Sequence, residues 1–124
     1  MSALAWSAFV VAGAVGAVAR YVIDALVQQR TPSNRPWGTF TINVTGSFVL
    51  GLLTGLALYH GLGRTPKTVL GTGFCGAFTT FSTFTFETVR LAEDGELTAA
   101  ALNVAGSVGA GIAAAALGIA LAAV

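Results

Sequence analysis

A fifteen-residue stretch, GFCGAFTTFSTFTFE (73–87), carries five phenylalanines and five serines or threonines in a chain otherwise rich in Ala, Gly, Val and Leu. Phe78, Phe81 and Phe84 recur every three residues, with hydroxyl side chains between them. A Phe ring has an electropositive edge and a hydroxyl group donates hydrogen bonds, so both can replace water around an anion. The stretch is therefore a candidate lining for an anion path. A packing face is the alternative that the spacing alone leaves open.

A second polar pattern occurs twice, as NVTGSFVLG (43–51) and NVAGSVGAG (103–111). Asn43 and Ser47 are four residues apart, as are Asn103 and Ser107, so each pair lies on one face of a helix. Small residues that let helices pack closely, such as the glycines of GLLTG (51–55), are the alternative explanation for both segments.

The polar side chains together exceed what packing in lipid requires, and polar groups inside a membrane usually line a path. Arg20 and the Asn amides add hydrogen-bond donors to the hydroxyl groups. No acidic residue is expected deeper in the membrane than Asp24 or Glu87, so no side chain offers an obvious buried cation site. The residues themselves thus indicate a pathway for a small anion.

The composition of the chain predicts the transmembrane helices that must position these residues. The chain has 124 residues, of which 55% are hydrophobic and 9% charged, and its mean hydropathy is +0.80; these are values of a membrane protein. The charged residues fall in three clusters and leave four charge-free stretches, 1–19, 36–63, 68–86 and 97–124. Each can reach the roughly 20 residues that a transmembrane helix needs. The sequence predicts a single all-α domain (1–124) with four spans at about 3–28, 36–60, 66–90 and 97–122.

The third span is expected to break near 76–80. Gly71, Gly73 and Gly76 weaken the helix just before Thr79 and Thr80, whose hydroxyl groups can bond to freed backbone groups. Unwound backbone at this depth needs cover from protein or a water-filled cavity, and such places often bind ions. Upstream, Thr65 and Pro66 are expected to form the N-cap and first turn of the span.

Three segments, GAVGAVARY (13–21), GTFTINVTGSFVLG (38–51) and GFCGAFTTFSTFTFE (73–87), together resemble the Fluc/CrcB family of fluoride channels. The resemblance covers three of the four spans. It implies passive export of fluoride, which lowers fluoride toxicity in the cytoplasm, by a multi-pass protein of a prokaryotic plasma membrane. The residues that it assigns to the fluoride pathway are Arg20, Asn43, Phe81, Ser82, Thr83, Phe84, Asn103 and Ser107.

The resemblance also implies an assembly, an antiparallel homodimer with two pores, each formed by both subunits. A structural Na⁺ would lie at the two-fold axis, held by the backbone carbonyls of Gly76 and Thr79. The weak charge bias of the chain agrees with insertion in both orientations, because Arg64 and Lys67 on one face oppose Arg30, Arg35 and Arg90 on the other. The expected partners are fluoride, a second copy of the chain and the bilayer, and not nucleic acid.

Two other functional classes are alternatives to a channel. An enzyme is not expected, because no nucleophile and base form a pair in the sequence. A small four-helix, dual-topology multidrug antiporter is the alternative from another transport class. Such antiporters use a glutamate embedded in the first span, and residues 1–19 contain no acidic residue.

Overall fold

The computed structural model describes residues 1–124 and is helical throughout. In chain order the elements are α1 (Ala3–Arg30), α2 (Trp37–Tyr59), α3 (Arg64–Lys67), a π-helix (Thr68–Cys75), α4 (Gly76–Phe78), α5 (Ser82–Glu93) and α6 (Leu97–Ala122). By length and composition α1, α2 and α6 can each cross a membrane. The third span, residues 64–93, is a series of shorter helices interrupted at residues 79–81. The chain is thus a multi-pass membrane protein.

The π-helix at Thr68–Cys75 is a departure from the expected α-helical course of the third span. A π-helix is rare and is often found at functional sites. Gly71 and Gly73 lie inside it and are buried. Their missing side chains let the wider turn pack against its neighbours: a Cβ at Gly73 would lie 3.2 Å from the carbonyl oxygen of Phe9 in α1. The same glycines that weaken an α-helix therefore allow the π-helix to pack against α1.

The third span begins two residues earlier than predicted, at Arg64. Its N-cap is Gly63, so the expectation that Thr65 is the cap is wrong. Pro66 lies in the first turn, where its missing N–H costs nothing because first-turn N–H groups have no partner inside the helix. Gly63 has an extended backbone (φ −66°, ψ 162°), and the helix begins after it without a side-chain cap.

Helices α2 and α6 form a closely packed pair. A Cβ at Gly51 would overlap the backbone of Ala115, and one at Gly118 would lie 2.6 Å from the backbone nitrogen of Leu52. The close packing predicted from the glycines of 51–55 is therefore confirmed. At the end of the pair, Nε2 of His60 lies 2.6 Å from the carbonyl oxygen of Ala122.

The chain has little core of its own. Only 18 of the 124 residues are buried, and large apolar side chains are exposed along every long helix. Lipid covers such surfaces in a membrane protein, since lipid tails are as apolar as the side chains. Close backbone contacts between glycines and helices therefore carry the packing. Gly16, the one buried residue of α1, is an example, because its Cα faces the backbone of Phe74.

Candidate functional site

The interruption of the third span is held by one side chain from α2. Asn43 donates from Nδ2 to the carbonyl oxygen of Thr80 at 2.8 Å, and its Oδ1 accepts from the N–H of Thr80 at 2.8 Å. The amide of Asn43 thus takes the place of the helix partners that Thr80 lacks. Two hydrogen bonds to one backbone residue fix the position of the break against α2.

These bonds leave two carbonyl groups without their helical donors. In a continuous helix the N–H of Thr80 would donate to Gly76 and that of Thr83 to Thr79. The Thr80 N–H donates to Asn43 instead, and the Thr83 N–H donates to Oγ1 of Thr80 at 3.2 Å. Carbonyl oxygens released in this way are typical ligands for a small hard cation.

The break opens onto a large cavity of about 490 Å³. Phe81 and Phe84 lie on its wall with ring centroids 6.0 Å apart and the rings tilted by 49°. Phe81 is 77% exposed within the subunit, so it contributes little to the subunit's own packing. The polar residues of the wall are Asn43, Ser47, Thr72, Thr79, Thr80 and Ser107. No Asp or Glu lines this cavity.

Ser107 brings α6 into the same site. Its Oγ atom is buried and has no hydrogen-bond partner in the subunit. A buried hydroxyl group without a partner is costly, so Ser107 offers a free hydrogen-bonding group to whatever occupies this cavity. Ser47 of α2 lines the same cavity, so the two polar helix faces predicted from the sequence meet there through their serines.

Arg20 lies in a second, smaller cavity of about 110 Å³. Asp24, Thr39, Thr80 and Thr83 line it with Arg20. Because Thr80 also lines the large cavity, the two cavities adjoin. The guanidinium group and the hydroxyl groups provide donors on the side of the break that faces α1.

A third cavity, of about 410 Å³, adjoins the second at Thr83. It contains Glu87, Arg90 and Asp94 toward the end of α5, so its wall is charged. From this charged end, past Arg20, to the phenylalanines, neighbouring cavities share one threonine of their walls: Thr83 in the first turn of α5, and Thr80 in the break.

The structure separates two of the predicted pathway residues from these three cavities. Ser82 is exposed, and its Oγ lies 3.3 Å from Oγ1 of Thr80 rather than on a cavity wall. Asn103 donates from Nδ2 to Oγ1 of Thr88 at 2.8 Å and lines a different pocket, together with Arg35 and Trp37. Of the predicted pathway residues, Arg20, Asn43, Thr83, Ser107 and the two phenylalanines line these three neighbouring cavities.

Thr39 is a polar residue of the site that the sequence analysis missed. It is 2% exposed, and its hydroxyl group lies beside the Glu87 carboxylate without a hydrogen bond of good geometry. Oε1 of Glu87 is likewise buried and unpartnered. The spacing offered a signal, because Thr39, Asn43 and Ser47 are four residues apart and so extend one polar face of α2 by a turn.

Phe78 has a different role from the two phenylalanines that follow it. It is 3% exposed and stacks on Phe74, with ring centroids 5.5 Å apart and planes 15° apart. It is therefore part of the packing of the third span against its neighbours. The regular Phe spacing of the sequence thus combines one packing residue with two cavity residues.

A broken membrane span with released carbonyl groups, next to neighbouring cavities with polar walls, is the architecture of a small membrane transport protein. Comparison with known proteins identifies the family. The model of the family described as "CrcB-like protein, Camphor Resistance (CrcB)" matches residues 7–119. The chain belongs to the CrcB family.

Several relatives resemble the chain over nearly their full length. The "Fluoride-specific ion channel FluC 1" of Frankia casuarinae is 51% identical, over 94% of this chain and 95% of the relative. The protein of the same name from Streptomyces avermitilis is 54% identical, over 89% and 90%. The "Fluoride-specific ion channel FluC 2" of Mycobacterium tuberculosis is 43% identical, over 91% and 86%.

We predict that Asn43→Ala destabilises the protein more than Asn103→Ala. The first change removes both partners of the Thr80 backbone, and each buried group left unsatisfied costs about 1–3 kcal/mol. The second removes one bond between side chains, worth about 1 kcal/mol. Thermal unfolding of the purified variants in detergent measures the difference. Equal losses of stability would show that Asn43 does not hold the break.

Proposed function

We propose that this chain is the subunit of a fluoride-specific ion channel that lets fluoride leave the cytoplasm passively. The observation that carries the proposal is the large cavity, where two phenylalanine rings lie beside amide and hydroxyl donors and no carboxylate. The names of the relatives, which describe fluoride-specific ion channels, support the same function. A channel has no catalytic residues, in agreement with the expectation that the chain is not an enzyme.

The chemistry of the path follows from the cost of removing fluoride from water. A small anion loses strong hydrogen bonds when it enters a membrane, so the protein must supply replacements. Threonine and serine hydroxyls, the amide of Asn43 and the guanidinium of Arg20 all donate hydrogen bonds. Phe81 and Phe84 add electropositive ring edges. Rings bind less strongly than charged groups, which suits an ion that must leave as readily as it enters.

Passive flow is sufficient for protection against fluoride. In acidic surroundings fluoride enters as neutral HF and ionises in the cytoplasm, where the anion is trapped. An exit path for the anion lowers its concentration without an energy source. The path needs no group that exchanges protons for substrate.

We propose further that the channel is an antiparallel homodimer. The wall of the large cavity is open on the side that carries Phe81, whose ring is mostly uncovered. A second copy would cover that side of the cavity. It would also bring further groups close to the Ser107 hydroxyl, which lacks a hydrogen-bond partner in the single chain. The near-even distribution of Arg and Lys between the two faces supports insertion in both orientations.

A structural Na⁺ is the proposed occupant of the break. The carbonyl groups of Gly76 and Thr79 fit this ion, because both have lost the helical donors that would otherwise occupy them. Both residues also line the open cavity, where a second copy could contribute the same pair of carbonyl groups. Na⁺ would be coordinated by four carbonyl oxygens at the two-fold axis, two from each copy, and would so stabilise the dimer.

Purified protein in liposomes should release fluoride much faster than chloride. The flow should follow the electrochemical gradient of fluoride alone, since no proton-coupled group is proposed. A fluoride electrode and a chloride electrode measure both fluxes. Fluoride accumulation against its gradient, driven by a proton gradient at clamped voltage, would assign the protein to the antiporters instead.

Phe81→Ile and Phe84→Ile should each slow fluoride efflux roughly tenfold, the effect of losing about 1.4 kcal/mol at the barrier. Each change keeps an apolar side chain and removes the electropositive ring edge. Phe78→Ile is the matched control: because Phe78 is a packing residue, it should lower thermal stability and leave the flux per folded dimer nearly unchanged. If the first two variants form normal dimers and conduct like the parent, the ring edges do not act on the ion.

The antiparallel dimer predicts that a tag at one terminus is reached from both sides of the membrane in about equal amounts. Labelling of intact cells and of inverted vesicles measures this. Labelling from one side only would contradict the antiparallel arrangement.

The proposed Na⁺ predicts that the dimer, purified in detergent, loses thermal stability when Na⁺ is replaced by a large organic cation. Melting curves in the two cations measure the difference. Unchanged melting would contradict the proposed ion site.

A further inference from the structure

Asp24 is the one acidic residue on the wall of the Arg20 cavity. The cavity of the phenylalanines has no acidic residue on its wall. Glu87 and Asp94 line the third cavity, where Arg90 accompanies them. A carboxylate in a proposed anion path therefore lies beside Arg20, the one charged hydrogen-bond donor on the walls of the first two cavities. The proposed function so far gives Asp24 no role.

Packing against α2 holds the Asp24 side chain close to Arg20. The two residues are four apart on α1, so they lie on one face of the helix with Cβ atoms roughly 5–6 Å apart. A Cβ at Gly38 would overlap Oδ1 of Asp24 and lie 2.8 Å from its carbonyl oxygen. The missing side chain of Gly38 thus makes room for the carboxylate against the first turn of α2. The positive end of the helix dipole there favours a negative charge.

The two charged groups are neighbours but not partners. The Arg20 guanidinium and the Asp24 carboxylate do not form an ion pair within 4 Å. An ion pair would occupy the N–H donors of the guanidinium, whereas here all of them remain available to an anion in the cavity. The carboxylate still acts on that anion through its charge, because Coulomb repulsion does not need contact.

We infer that Asp24 sets the affinity of the anion path at Arg20: its charge offsets that of the guanidinium, so that a small monovalent anion binds there without being retained. The inference rests on the proposed function and deepens it. A half-buried guanidinium alone holds an anion strongly, because water screens its charge less than at the surface. Conduction requires binding that is favourable enough for entry and weak enough for exit. The carboxylate one turn away provides the second condition.

Asp24→Asn keeps the shape of the side chain and removes its charge. The fluoride concentration that half-saturates efflux from liposomes should fall about fivefold, the effect of one charge acting over several ångströms near a protein surface. The maximal flux per folded dimer should fall as well, because the ion leaves the strengthened site more slowly. A fluoride electrode measures efflux over a series of internal fluoride concentrations and gives both quantities.

Glu93→Gln is the matched control. It removes an exposed carboxylate at the same end of the bundle, and Glu93 lines none of the three cavities. Both quantities should stay near those of the parent. Asp24→Ser removes the charge with a smaller side chain and should behave like Asp24→Asn, so the test does not depend on the folding of one variant.

The double variant Arg20→Gln/Asp24→Asn tests whether Asp24 acts through Arg20. Once the guanidinium is gone, the anion has no strong site beside residue 20. Asp24→Asn should therefore change the half-saturating concentration little in the Arg20→Gln background, so the two changes should not be additive. A fivefold effect in that background would overturn the inference. Parent-like half-saturation by both single Asp24 variants would overturn it as well.

A binding measurement separates this inference from the proposed function. Titration of the ¹⁹F signal of fluoride with detergent-solubilised protein gives a dissociation constant without any flux. Asp24→Asn should bind fluoride about fivefold more tightly than the parent. If the parent conducts no fluoride but the variant binds it more tightly, the channel function fails and the role of Asp24 stands. If the parent conducts and the two proteins bind fluoride equally, the function stands and the role of Asp24 fails.

Discussion

A backbone group inside a membrane must find its partner within the protein, and this requirement is most severe where the third span is interrupted. The amide of Asn43 meets it by bonding to both backbone groups of Thr80. The path, the released carbonyl groups and the positions of the two phenylalanines all depend on this pairing. Without it the span would have to close into a continuous helix, and Gly76 and Thr79 would recover their usual donors.

The interruption also decides which side chains face the site. On its N-terminal side, Phe78 turns into the packed interior and stacks on Phe74. On its C-terminal side, Phe81 and Phe84 face the open cavity. A continuous helix with the same sequence would place residues three apart on nearly the same face. The break thus divides an evenly spaced row of rings into a structural part and a functional part.

Much of the fold could be predicted because it follows from composition and local chemistry. Charge-free stretches of sufficient length indicate the spans, and the glycines before Thr79 indicate where the third one weakens. The pairing of Asn43 with Thr80 could not be predicted, since it joins residues 37 positions apart through the packing of two spans. The π-helix was also missed, because local propensity does not distinguish it from a weak α-helix. Asn103 shows the same limit: its spacing to Ser107 is regular, but its neighbour Thr88 in α5 decides where its amide points.

The glycine contacts between α2 and α6 have a consequence for the entropy of folding. Gly51, Gly118 and Ala115 meet through their backbones. Ordering glycine and alanine costs essentially no side-chain rotamer freedom, whereas each long side chain fixed at an interface costs up to about 2 kcal/mol. The two helices therefore associate without immobilising side chains at these points. At the interrupted span, by contrast, the Asn43 side chain must be held in one rotamer to make both of its bonds to Thr80.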